Sequence, residues 1–290
     1  MKLTIRSDKP IVNLYNNFPK DLREHLEKWD LGTESTFYES FYVDLDMNQH
    51  DEALVNTESK ELLLKRALAN SDQIKELANE YLNRLKERFI CCGALHQLDT
   101  VQDVSPMNIK LADMTLIQRE FLTNESLLYL KSLNTRKCLD EQIDSEMYVS
   151  DEYRKAMAYM LWAEGCTYYN EDTFIENCNF QQYGLVEDSW TNICARELLL
   201  HIHARLVIGG KFGQYEDNLM PYFNNTKLLY KNIVSVQKVS SVDSNQSSQG
   251  FSIASKAYKC PVTNDLVDKS YFLLIVHPID KKVTIMLHAE

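Results

Sequence analysis

The chain has 290 residues, 44% hydrophobic and 25% charged, close to globular averages, which argues for a packed core and against global disorder. A formal net charge of -11 repels nucleic acid and anionic membrane except at a local basic patch, and only two small ones occur, at residues 60–66 and at Lys281 with Lys282. No stretch reaches the roughly 18 to 20 apolar residues of a bilayer span. The N-terminus lacks the apolar middle of a secretory signal, and seven irregularly spaced cysteines read as reduced thiols of an intracellular protein, cytoplasmic or nuclear.

In "PKDLREHLEKWDLG", residues 19–32, proline near the start and glycine past the end predict a short helix. "STFYESFYVDLD", residues 35–46, is aromatic and alternates poorly. It fits a strand or an extended segment lying on helices. From residue 57 the helical period dominates: Ile74, Leu77, Ala78, Tyr81, Leu82, Leu85 and Phe89 line one face, and Lys75, Glu76, Asn79, Glu80, Asn83 and Lys86 fill the other. Ser105 followed by Pro106 reads as an N-cap and first helical residue, opening a helix to residue 122. More helices are expected over 124–133, from the Ser150 cap to Gly165, from a start at Asp188 or Ser189 to Ile208, and in short stretches at 215–223 and 227–232.

At residue 233 the texture changes. "IVSVQKVSSV", "GFSIASKAYKC", "SYFLLIVH" and "KVTIMLHAE" are short and rich in β-branched and aromatic residues, with a polar loop over 240–250. The last two flank a loop of hairpin length. The fold class read from this is α+β and mainly helical: a multi-helix bundle or irregular helical array with a small C-terminal antiparallel β-sheet. The body spans 1–232, its first 50 residues partly irregular or extended. The sheet spans 233–290 and packs on the last helices.

Glycine is scarce, 8 residues in 290, against an average usage of about 7%, which lowers the odds of a phosphate-cradling fold. The cluster "GGKFG", residues 209–213, lacks P-loop spacing and follows a helix, so it reads as a helix C-cap and turn.

The richest stretch is "NICARELLLHIHARL", residues 192–206. On a helix of about 100° per residue, Ala195, Leu198, Leu199, Ile202 and Leu206 form one apolar arc, and Ile193, Leu200, Ala204 and Val207 another nearly opposite. A helix with two apolar arcs is sandwiched between neighbours. His201 and His203 fall on different flanks and cannot share one metal ion. Cys194, Glu197 and His201 share a flank, but no C-x₂₋₄-C pair announces a zinc site, so no metal and no cofactor is expected.

One catalytic arrangement is conceivable. Cys194 in the second turn of a helix, His277 at a later strand end and Asp280 three residues on follow the order cysteine, histidine, acid, as in a cysteine-dependent hydrolase or transferase. No glycine flanks Cys194 to open room for substrate, and no local signature accompanies it. The preferred reading is a non-catalytic protein–protein interaction or scaffold subunit of an intracellular complex, with other protein subunits as partners and neither nucleic acid nor a membrane span. Its 16 tyrosines suit interfaces, because the ring is apolar and its tip stays wet.

Overall fold

A computed structural model describes residues 1–46, 59–109, 149, 154, 157, 197–240, 249–262 and 270–290. In chain order these residues form β1 (Lys2–Ile5), β2 (Val12–Asn13), α1 (Lys20–Lys28), β3 (Thr36–Asp46), α2 (Lys60–Ala67), α3 (Ser71–Arg88), α4 (Gly93–Gln97), β4 (Ser105–Met107), α5 (Leu198–Ile208), α6 (Leu219–Ile233), β5 (Val236–Ser240), β6 (Gln249–Ile253), β7 (Lys256–Cys260), β8 (Tyr271–His277) and β9 (Lys282–His288).

Seven of the strands make one antiparallel sheet in the order β1-β3-β9-β8-β7-β4, with β2 also pairing β3. The expected mainly helical class with a small C-terminal sheet is therefore corrected. The sheet is the centre of the structure, and it joins the start of the chain to its end. β3 pairs β9 from Thr36 opposite His288 to Tyr42 opposite Lys282. The expected boundary at 232/233 falls in the last turn of α6, and strands from both sides of it lie in this sheet.

The mainly helical reading failed because β3, which fitted a strand or an extended segment, pairs β9 in the sheet instead of lying on helices. Side chains alternate between sheet faces. Phe37, Phe41, Val43 and Leu45 enter one core and Tyr38 the other. Helices cover both faces, so Thr36, Tyr38 and Ser40 are buried as well as Phe37, Glu39 and Phe41, and a wet outer register shows only over Tyr42, Asp44 and Asp46. β8 behaves alike: Phe272, Leu274 and Val276 face the core with α2, α3 and α4, while Leu273 and Ile275 face that with α1, α5 and α6.

Ser105 and Pro106 do not open a helix. They belong to β4, opposite Lys259 and Tyr258 of β7. A proline cannot donate to a ladder, but an edge strand of three residues leaves its missing N–H unneeded. The opposite edge is closed by side chains: Leu3 N donates to Gln73 Oε1 at 2.9 Å and Ile5 N to Glu80 Oε1 at 3.3 Å, both on α3. That blunts an edge that would otherwise template another strand.

α3 follows the stripe expected of it, burying Ile74, Leu77, Ala78, Tyr81, Leu82 and Leu85. Asn70 caps it through Asp72 N and Gln73 N. The two short helices expected at 215–223 and 227–232 are one helix, α6, capped by Asn218; Pro221 sits in its first turn, where no donor is missed. The helices expected over 124–133 and 150–165 lie outside or almost wholly outside the described residues. α5 runs from Leu198; residues 188–196, where its start was expected, lie outside the described residues. Glu197 is extended, with φ -91 and ψ 121, and bridges Asn108. From Leu198 to Ile208 every residue is buried, as two opposed apolar arcs require.

Leu273→Ala and Leu274→Ala, adjacent in β8 but on opposite faces, should each cost about 2–5 kcal/mol in denaturant unfolding. A sheet with one wet face would leave one of the two near neutral.

Candidate functional site

Burial on both sheet faces makes an unpartnered polar side chain inside costly. His277 ends β8 with 4% of its surface exposed. Its Nδ1 lies 2.8 Å from Ser255 Oγ and its Nε2 3.0 Å from Thr284 Oγ1. Ser255 Oγ also accepts the Ser235 N–H at 2.9 Å. A neutral ring satisfies this set, with the Ser255 hydroxyl donating to Nδ1 and Nε2–H donating to Thr284. Burial, aided by the Lys282 ammonium, pushes the His277 pKa down to about 4, and Asp280 opposes that shift. Asp280 itself is exposed in the β8–β9 turn. It makes neither ring contact; both are to hydroxyls.

Cys194, the third member of the conceivable catalytic set, lies outside the described residues. So do the residues 188–196 that were to form the first turns of its helix.

His201 and His203 of α5 are both fully buried. His203 Nδ1 sits 3.0 Å from Thr226 Oγ1 of α6. Its ring stacks on Phe223 with centroids 5.0 Å apart. Burial lowers its pKa to about 3, so it is a neutral core histidine at physiological pH. On the same helix the Arg205 guanidinium lies 4.5 Å from the Tyr271 ring centroid, which tethers α5 to β8. Among the described residues no group of three histidine, cysteine or acidic side chains could hold a metal ion. Cys91, Cys92 and Cys260 are free thiols, and burial raises the Cys260 pKa far out of the reactive range.

Sequence reasoning missed Glu39. It lies in β3 on the face of Phe37 and Phe41, 6% exposed. Tyr81 donates to its Oε2 at 2.8 Å, and Arg88 Nη2 reaches both carboxylate oxygens at 2.7 Å. Glu39 shares the inward spacing of Phe37 and Phe41, unlike Asp44 and Asp46 of the same strand, but no local mark pointed to its partner Arg88. Glu39 ties the sheet to α3, His203 joins α5 to α6, and His277 links β8 to β9 and to Ser255 just before β7.

The description of one protein family matches residues 13–288 of this chain, cilia- and flagella-associated protein 300. The chain belongs to that family. A cilia- and flagella-associated protein 300 from Paramecium tetraurelia is similar to it, 27% identical over 156 residues, which is 52% of this chain and 52% of the relative. The match thus spans about half the length of that relative. No solved structure matches the chain. Membership in the cilia- and flagella-associated protein 300 family gives no support to the nuclear alternative left open by composition. Among the described residues no helix is long and apolar enough to cross a membrane.

The two depressed histidines set a pH dependence. Folded, His203 and His277 stay neutral down to about 3 and about 4; unfolded, each takes up a proton below about 6.5. The unfolded state binds more protons, so stability is full above pH 6.5 and is lost as pH falls towards 4. Each histidine should contribute a slope of about 1.4 kcal/mol per pH unit in that window. Unfolding midpoints of the wild type and His277→Gln between pH 7 and 4.5 check this: the variant should lose one proton's worth of slope, whatever its stability at pH 7.

Proposed function

We propose that this chain is a non-catalytic protein-interaction subunit of an assembly associated with cilia or flagella. The observation that carries the reading is the family match over residues 13–288. Two features support it. The buried polar groups at the sheet bind one another: His277 holds two hydroxyls, and Glu39 holds Tyr81 and Arg88. Large apolar side chains also stand in solvent, Phe212 at 81% and Ile90 at 77% exposure, where a protein partner could cover them.

The test is complementation in ciliated cells that lack the chain. Cys194→Ser should restore ciliary beating to the wild-type level. Tagged wild type should co-purify with ciliary proteins in near-equal amounts. Loss of beating with Cys194→Ser at normal abundance and melting temperature would instead favour a cysteine-dependent enzyme acting through Cys194, His277 and Asp280.

A further inference from the structure

Three of the chain's eight glycines stand in "GGKFG", and the cap reading explains only the first. Gly209 caps α5 with φ 63 and ψ -173, a conformation essentially reserved for glycine. Gly210 and Gly213 are required by close approach. A Cβ on Gly210 would collide with Asp30 O, and one on Gly213 would lie 2.5 Å from Trp29 O. The backbone that follows is pinned to the end of α1. Gly210 N donates to Trp29 O at 2.8 Å and Gln214 N to Lys28 O at 2.7 Å. Phe212 N donates to Asp30 Oδ2 at 2.9 Å. Asp30 itself adopts φ 58 to receive the loop.

This fixed loop does not bury its own apolar residue. Phe212 is 81% exposed, and Tyr215, three residues on, is 49% exposed. A turn needs no phenylalanine at its tip. An immobile backbone that holds an aromatic ring in water is instead the preorganisation that an interface anchor needs. Each ring carries a cation: Lys211 Nζ lies 5.6 Å from the Phe212 centroid, and the Arg154 guanidinium lies 4.2 Å from that of Tyr215. Neither cation forms an ion pair among the described residues.

We infer that the Lys211–Phe212–Tyr215 tip is a docking anchor for another protein, one presenting an apolar pocket flanked by carboxylates. This rests on the interaction-subunit reading and names its contact point. The occupant follows from charge. Arg154 already donates to Val207 O, Glu216 O and Tyr222 Oη, but covering Phe212 also removes Lys211 from water, and an unpaired buried cation is costly, so the covering surface must bring acids. A symmetric contact with a second copy would set Lys211 against Lys211.

The test places photoreactive benzoylphenylalanine at position 212 of the full chain in ciliated cells, then sequences the cross-linked peptide. The expected product is a peptide of a different protein, apolar and rich in aspartate or glutamate. That protein, purified, should bind wild type and lose about 30-fold in affinity with Phe212→Ser, the loss of a truncated hot spot. Lys211→Glu should weaken it too, with both variants melting as wild type does. A cross-link within this chain, to a second copy or to a non-acidic surface overturns the inference. So does no cross-link from position 212 while the wild type still recovers ciliary partners, and that outcome leaves the interaction-subunit reading intact. Recovery of no partner by the wild type overturns both.

Discussion

The pairing of β3 with β9 is the constraint on which the rest of the structure depends. Seven residue pairs, from Thr36 with His288 to Tyr42 with Lys282, bind the first fifty residues to the last ten. Closing so long a loop is costly in chain entropy, and the ladder alone does not offset it. The compensation comes from burial on both sides. Phe41 stacks on Tyr81 of α3 with centroids 5.3 Å apart, and Tyr38 packs edge-on to Phe18 at 5.2 Å. β3 is thus held by one core above and another below, and the β8–β9 hairpin supplies the surface on which it docks.

Burying a sheet on both faces has a polar consequence. Several groups that β3, β8 and β9 carry inward cannot reach water and are matched within the protein. Glu39 is an ion paired by Arg88 and Tyr81. Thr36 Oγ1 meets His288 Nδ1 at 2.9 Å. His277 is kept neutral between two hydroxyls. Losing one partner of such a set leaves a buried group unsatisfied and is more costly than the set is stabilising. The same pressure makes these residues look catalytic in sequence, because histidines, serines and acids brought together for satisfaction resemble those brought together for chemistry. Only the geometry separates the two: His277 meets Ser255 and Thr284, while Asp280 points its charge into an exposed turn.

Legibility followed the period of the pattern. α3 was readable because one face is wet, so Ile74, Leu77, Tyr81 and Leu85 stand out against lysines and glutamates. The β8–β9 hairpin was readable from β-branched residues around a four-residue turn. β3 was readable as a strand or extended segment, but its pairing was not, since Thr36 and His288 lie 252 residues apart, and Glu39 was unreadable as a partner because Arg88 lies 49 residues away. Pro106 misled because proline suits both a first helical turn and an edge strand. The two-sided burial of α5 was visible in its arcs, but its start was not: Glu197 joins a β-bridge to Asn108, a tertiary contact with no local mark. The glycines of the 209–213 loop announced a cap. Their second purpose, close approach to Trp29 and Asp30, depended on a neighbour 180 residues earlier.

The central claim is that the start and end of the chain form one cooperative sheet. Native-state hydrogen exchange tests it most directly. Amides of Tyr38, Ser40 and Tyr42 in β3 should exchange only on global unfolding, with the same free energy as those of Leu274 in β8 and Ile285 in β9. If the β3 amides exchange through a much cheaper opening while the β8–β9 hairpin stays protected, the two ends of the chain are separate units and the account is contradicted.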